Sequence, residues 1–248
     1  MAVRNIKKVW DKGKIIKDNV QFLLQKTKKV TFPLTPKDKE IIEDLIDTYN
    51  KIPSAGIAAN QIGYNKMIFI GNTCESESSE NKRNDYEIYI NPQIDNFTND
   101  SLQEGPEGCL SIPGITLNVV RYDNIKVRYY ELEGKKVTNL FTGFHSRLFQ
   151  HELDHLKGKL MVMQNVTTGR VEEREIFALY EELTTILFNP IICPFYRKEP
   201  IVPFANEFNH ICSSPHLKGN CKELVEEYCT NQSRTYTSCR YFDNRLVL

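Results

Sequence analysis

The stretch Gln150-His151-Glu152-Leu153-Asp154-His155 has the residue types and spacing to do chemistry. Two histidines four residues apart share one face of a helix, so both imidazoles can reach a single metal ion. A glutamate next to the first histidine can move the protons of a water activated there. Apolar Leu148, Phe149, Leu153 and Leu156 support a helix over about 144–157, and Gly158 is a natural stop. The chain has five histidines in 248 residues, so an ordinary amphipathic helix carrying this pattern by accident is the poorer account.

Two histidines make half a tetrahedral site, and a hydrolytic metal usually keeps three protein ligands. Cys109 is one candidate for the third. It lies in the glycine-flanked stretch Gly105 to Gly114, which reads as a loop, away from any helical or alternating pattern that would make it a core cysteine. The competitor is a downstream glutamate, as in metallopeptidases sharing H-E-x-x-H. Glu172, Glu173 and Glu175 are available. They open a helix, however, where the helix dipole and solvation already favour acidic residues. On residue types alone both options stand.

The elements that must position these groups follow from periodicity. A short strand is expected near Lys29 to Phe32. Thr35-Pro36 reads as the start of an amphipathic helix over 36–50, with Ile41, Ile42, Leu45, Ile46 and Tyr49 at helical spacing and Pro53 as its stop. The small-residue run from Ser54 to Gln61 lets backbone approach something closely. Met67 to Ile70, Tyr86 to Ile90, Ile115 to Val120, Ile125 to Glu131 and Val137 to Phe141 read as strands. Asn72 to Asp85 reads as an exposed polar loop. Val171 to Leu187 reads as a final helix. Strands followed by a central helix predict an α+β fold, with antiparallel sheets packed around the metal-binding helix.

From Asn189 the composition changes. Pro190, Pro194, Pro200, Pro203 and Pro215 punctuate the chain, and five of its seven cysteines fall here. We read 1–189 as the catalytic domain and 190–248 as an extension with little regular structure beyond a short helix near 220–229. Cys193, Cys212, Cys221, Cys229 and Cys239 contain no C-x-x-C pair, so with His210 and His216 they make a weak case for a second metal.

Thirty-two basic residues balance 32 acidic ones, so nothing calls for a nucleic-acid partner, sequence-specific or otherwise. No apolar run approaches a membrane span. The lysine-rich start (Lys7, Lys8, Lys12, Lys14, Lys17) lacks an apolar signal region and carries Asp11 and Asp18, which reads as a solvated surface segment. With an odd number of cysteines, the reducing cytoplasm is the expected location.

Three segments occur in the order of the signature motifs of peptide deformylases: G-x-A-A-x-Q at Gly56 to Gln61, E-G-C-L-S at 107–111, and H-E-x-D-H at 151–155. Over roughly residues 5–188 the chain resembles that family. The resemblance implies a metal-dependent hydrolase that removes the formyl group from the N-terminal methionine of new polypeptides, releasing formate. Its partners would be N-formylated nascent peptides, with the ribosome as one place to meet them. Cys109, His151 and His155 would ligate Fe(II), with Zn, Ni or Co able to replace it. Glu152 would be general acid and base, and Gln61 with the Leu110 N–H would polarise the formyl oxygen. Gly56, Ala55, Glu107, Arg147 and Arg121 would lie on the substrate side, with the peptide bound as an added strand.

Two positions depart from that pattern. Ser54 stands where a glycine is expected and could narrow the entrance. Arg147, four residues before His151, stands where an aliphatic wall of the methionine pocket is expected. An arginine there would make the pocket polar, or run its stem along the wall with its head in water, and shift substrate preference.

Overall fold

The computed structural model describes residues 2–73, 86–98, 101–188, 196–200 and 208–212, the last two segments as backbone alone. The chain divides into two units, Met1–Thr167 and Thr168–Leu248. The first begins with a small hairpin, β1 (Trp10–Asp11) with β2 (Lys14–Ile15), then helix α1 (Lys17–Leu23) and helix α2 (Pro36–Lys51). Strands β3 (Gly56–Ala58) and β4 (Ile68–Asn72) follow, separated by a 3-10 turn over Ala59–Ile62. Next come β5 (Tyr86–Phe97), β6 (Leu102–Cys109), β7 (Ile112–Tyr122), β8 (Ile125–Tyr130) and β9 (Lys136–Phe141), then helix α3 (Gly143–Leu156) and the first two residues of β10 (Val166–Val171). The second unit holds helix α4 (Arg174–Phe188) and an antiparallel hairpin, β11 (Tyr196–Pro200) with β12 (Phe208–Cys212).

Two sheets flank α3. One has five antiparallel strands in the order β3-β4-β5-β8-β9. The other is the β6–β7 hairpin, joined along β7 by the start of β10, where Val120 N–H donates to Asn165 O at 2.9 Å. Alternation on β4 decides what covers the larger sheet. Ile68 and Ile70 face a core with Ile41, Ile42, Leu45 and Tyr49 of α2, whereas Phe69 faces the opposite core with Phe149, Leu153 and Leu156 of α3. The expected α+β arrangement, antiparallel sheets around a central helix, is what the chain adopts.

Capping chemistry defines the helix ends. Thr35 and Asp38 form a reciprocal capping box on α2: Asp38 N–H donates to Thr35 Oγ1 at 3.1 Å, and Thr35 N–H donates to Asp38 Oδ2 at 3.2 Å. Thr142 gives α3 no side-chain cap; Asp123, from the turn before β8, accepts the Gly143 N–H at 2.9 Å. At the far end Gly158 takes φ +72°, and Leu24 O lies 2.2 Å from where a Cβ would sit. That glycine is required twice, by conformation and by close approach.

Several local expectations are corrected. Residues 29–32 form no strand, because the N–H and carbonyl of Val30 both bond the Asn91 side chain at 2.8 Å; Lys28 makes only an isolated bridge to Lys66. Strand β5 does not stop before Pro92. Asn91 adopts φ +50°, and a register shift between Ile90 and Gln93 absorbs the proline. Residues 105–114 are largely paired hairpin rather than loop, in register from Leu102↔Tyr122 to Gly108↔Thr116, with a register shift before Cys109↔Ile112. Residues 166–171 form a strand, so the last helix begins at Arg174 rather than Val171, with Leu179, Leu183 and Leu187 on its buried face. The β11–β12 hairpin also appears where no strand was expected. The helix expected near 220–229 and Cys193, Cys221, Cys229, Cys239 and His216 lie outside the described residues, as do residues 74–85 of the polar loop.

Gly158→Ala is expected to destabilise the protein by about 1–3 kcal/mol from backbone strain alone, with the Leu24 contact adding to it. Urea unfolding would measure this, and an unchanged midpoint would show that the α3 end can relax away from residue 24.

Candidate metal centre

Alternation along β6 puts Gln103, Gly105, Glu107 and Cys109 on one face. That face meets a row of α3 residues four apart: Gly143, Arg147, His151 and His155. Each strand residue engages its helix counterpart. Gln103 Nε2 donates to Gly143 O at 2.7 Å, and Arg147 Nη1 to Gly105 O at 3.1 Å. His151 Nδ1 lies 2.9 Å from Glu107 Oε2, and His155 Nε2 lies 3.2 Å from Cys109 Sγ. The four contacts form rungs, and the last two build the site.

Cys109, His151 and His155 place a sulfur and two imidazole nitrogens within 4.8 Å of one another, and among the described residues these are the only three such groups close enough to hold one metal ion. Glu172, Glu173 and Glu175 are not among them. Soft sulfur beside two imidazoles is a donor set for a first-row divalent ion. A carboxylate can only accept, so the Glu107 contact means that His151 Nδ1 carries hydrogen, which turns Nε2 toward the other ligands. Burial works against ionising Cys109, but the imidazoles of His155 and His151 outweigh it and bring the thiol to about 5. Burial also disfavours the His151 cation, yet Cys109 and Glu107 raise it well above the ordinary histidine value. Thiol and imidazole thus each favour the other's charged form, and a divalent ion bound between them would take the place of a proton.

Glu152 has a different environment. It is 2% exposed, and its Oε2 has no partner among the described residues. Burial raises it to about 7, with the histidines opposing. An unpaired buried carboxylate beside a cation site is poised for proton transfer. It packs against Gly56, where an added Cβ would lie 2.8 Å from Glu152 Oε1. Gln61 lies across the site: its Oε1 accepts Ala58 N–H at 2.9 Å, and its Nε2 donates to Ser111 Oγ at 3.2 Å, 3.7 Å from Cys109 Sγ. Leu110 occupies the turn between Cys109 and Ile112, one residue from the sulfur.

Strand β3 is an edge of its sheet. Ala55 O accepts the Asn72 N–H at 2.8 Å, so by antiparallel alternation the N–H and carbonyl of Gly56 point away from β4, toward the open edge. Ala55 itself is used in pairing. Ser54 makes only a long contact to Ile52 O, 3.5 Å.

Arg121 and Arg147 surround Glu107. Arg121 clamps both Glu107 oxygens at 2.8 Å and also pairs with Asp154. Against the cost of burial, Arg121 and His151 hold the Glu107 carboxyl far below the usual carboxylate range. Arg147 does not hold its head in water, which corrects that part of the expectation for it. Its side chain is 12% exposed, and its guanidinium meets Glu107 Oε1 at 2.8 Å, Val119 O at 2.9 Å, and Gly105 O and Gln103 O at 3.1 Å each. Sequence reasoning missed Asp154, Ser111, Gln103 and Gly105 as parts of this site. The i, i+2 alternation over 103–109 would have found two of them, had 105–114 not been read as loop.

The sequence model of the polypeptide deformylase family matches residues 12–171. The chain is 34% identical over 151 residues to peptide deformylase 2 of Ralstonia nicotianae, covering 60% of this chain and 85% of that one. A class I type b peptide deformylase from Acinetobacter baumannii, solved with Met-Ala-Ser bound, aligns with TM-score 0.55 and 26% identity over 65% of this chain and 97% of its own. Peptide deformylase from Plasmodium falciparum aligns with TM-score 0.56 and 26% identity, covering 75% and 96%.

Arg121 is 5% exposed between two carboxylates. Arg121→Met is expected to cost about 3–5 kcal/mol of stability, because it strands buried charge rather than removing a surface pair. Chemical denaturation at neutral pH would show this, and a loss below about 1 kcal/mol would mean that the pairing behaves as solvent-exposed.

Proposed function

The chain belongs to the polypeptide deformylase family, and from that premise we propose that its Cys109, His151 and His155 hold the metal at which an N-formylmethionyl peptide is hydrolysed. The family is metal-dependent, and its reaction gives formate and a free N-terminal methionine. The observation that carries the assignment of residues is the convergence of one sulfur and two imidazoles next to a buried carboxylate whose Oε2 has no partner among the described residues.

A bound divalent ion, Fe(II) by family resemblance with Zn, Ni or Co as substitutes, would supply Lewis acidity and lower the pKa of water. The remaining work falls to the chain. Glu152 Oε2 accepts a proton from the attacking water and returns it to the leaving amine as the C–N bond breaks. Gln61 Nε2 and the Leu110 N–H donate to the formyl oxygen as charge builds there, an effect worth about 3–4 kcal/mol per donor in other hydrolases. The peptide adds along the open edge of β3, with Gly56 O accepting a substrate N–H; the outward direction of that carbonyl supports this placement. Arg147 spends its guanidinium on four internal oxygens, which supports an apolar first side chain, methionine, over an acidic one. No helix among the described residues is long and apolar enough to cross a membrane. Nascent chains emerging from the ribosome in the cytoplasm are the proposed source of substrate.

Formate release from formyl-Met-Ala-Ser by anaerobically prepared, Fe(II)-loaded protein is the direct test. Release is expected to be abolished in Glu152→Ala with metal retained; activity surviving that change would remove Glu152 from its role. The carboxylate is the working form, so kcat/KM should fall as pH drops through the Glu152 value, about 7 in the metal-free chain and lower beside a cation. Gly56→Ala, which drives a methyl group into Glu152, is expected to cut turnover at least ~100-fold, the scale of losing a positioned acid–base group, at unchanged metal content. Near-normal turnover would mean that the carboxylate has room to move.

A further inference from the structure

We propose that Arg147 is a positioning residue that sets the register between the helix carrying both histidines and the hairpin carrying the cysteine. The proposal rests on the deformylase reading of the metal site and adds to it a residue that contacts neither metal nor substrate. Arg147 and Gly105 form the rung just before Glu107 and His151. The guanidinium reaches backbone oxygens of both hairpin strands, Gly105 and Gln103 of β6 and Val119 of β7, and the Glu107 carboxylate as well. Three of the four acceptors share the two Nη1 hydrogens and the fourth takes Nη2, so the planar group is held by one edge in a fixed orientation.

Gly105 is the seat for this fork. A Cβ there would lie 3.3 Å from Arg147 Nη2 and 3.4 Å from Cζ, so any side chain at 105 crowds the group. The consequence passes along the rungs. Arg147 holds Glu107 Oε1 together with Arg121, Glu107 Oε2 accepts from His151 Nδ1, and two residues along the strand Cys109 lies against His155. His155 Nδ1 has no partner among the described residues, so of the two imidazoles it is His151 that is oriented from behind, by Glu107. Sliding α3 by one residue against β6 would separate Sγ from both imidazoles. Arg147 opposes that slide, because its four acceptors lie on two different strands.

The test reads the metal site rather than turnover. Wild-type protein, Arg147→Met, Arg147→Lys, Gly105→Val and the double variant Gly105→Val/Arg147→Met are titrated with Co(II) under reducing conditions. The thiolate-to-cobalt absorption band and the dissociation constant are recorded, with folding checked by circular dichroism. Arg147→Met and Gly105→Val are each expected to raise the dissociation constant ~10-fold or more and to weaken or shift the thiolate band, on the scale seen when groups behind metal ligands are removed. The double variant should be little worse than either single one, because both break the same rung. Arg147→Lys, which keeps the charge but loses the fork, should fall between Met and wild type, and it remains readable if Arg147→Met fails to fold. Folded variants whose affinity and band match wild type would overturn the proposal while leaving the metal site intact. A wild-type protein with no thiolate band would overturn the metal reading itself, and the proposal with it.

Discussion

The structure depends on a near-match of two pitches. Four residues of α-helix advance about 6.0 Å, and two residues of extended strand advance about 6.6–6.8 Å. A helix row at i, i+4 can therefore run beside one face of a strand for several steps before drift breaks the contacts. Here the match lasts four rungs, from Gly143 and Gln103 to His155 and Cys109. The i+4 row is inclined to the helix axis, so the strand that follows it crosses obliquely. This arrangement lets ligands distant in sequence meet without a loop to fold around the ion. It also explains why α3 is buried on both sides, with Phe149 and Leu153 in one core while its histidines face the hairpin.

Charge balance makes the arrangement tolerable. Glu107 and Asp154 bring two negative charges into the helix–hairpin interface, and Arg121 and Arg147 bring two positive ones. Every Glu107 oxygen is paired, so its ionisation costs little and it can hold the His151 N–H without taking the proton. Glu152, on α3, has the opposite environment: also buried, but with its Oε2 unpaired among the described residues. The two glutamates are pushed in opposite directions, one far below the usual carboxylate range and the other up to about 7. That separation divides their labour, one orienting a ligand and the other carrying protons.

Much of this was legible in the sequence where a single element carries its own period. The helices at 36–51 and 143–156 declare themselves through apolar spacing, and H-E-x-x-H identifies its own face. Strand β6 does not. Its residues Gln103, Glu104, Gly105, Pro106, Glu107 and Gly108 have poor strand propensity, because one face is occupied by helix side chains rather than by an apolar core. Tertiary contacts override local preference there, and Gly105 and Gly108, which read as loop, are paired. Arg147 shows the same limit. Its position on the helix was readable, but the direction of its charge depended on a glycine forty-two residues earlier. Val30 failed for a related reason, since its backbone partner is the side chain of Asn91.

Two glycines show how the helix is held from both sides. Neither Gly56 nor Gly105 has positive φ, so conformational freedom does not explain them. Both lie in strands, where glycine ordinarily weakens the element, and both face α3, where an added Cβ would lie 2.8 Å from Glu152 Oε1 at position 56 and 3.3 Å from Arg147 Nη2 at position 105. Gly56, on the edge strand of the larger sheet, leaves room for the Glu152 carboxylate; Gly105, on the hairpin, leaves room for the Arg147 guanidinium. A side chain at either position would act as a wedge, displacing first the Glu152 carboxylate or the Arg147 guanidinium that it meets. Cys109 comes from the hairpin, and Gln61 from the turn that follows β3, so a wedge on either side changes the distances across the site. The strand propensity lost at these glycines therefore buys proximity: it lets one helix lie close enough to two sheets for groups from all three to meet.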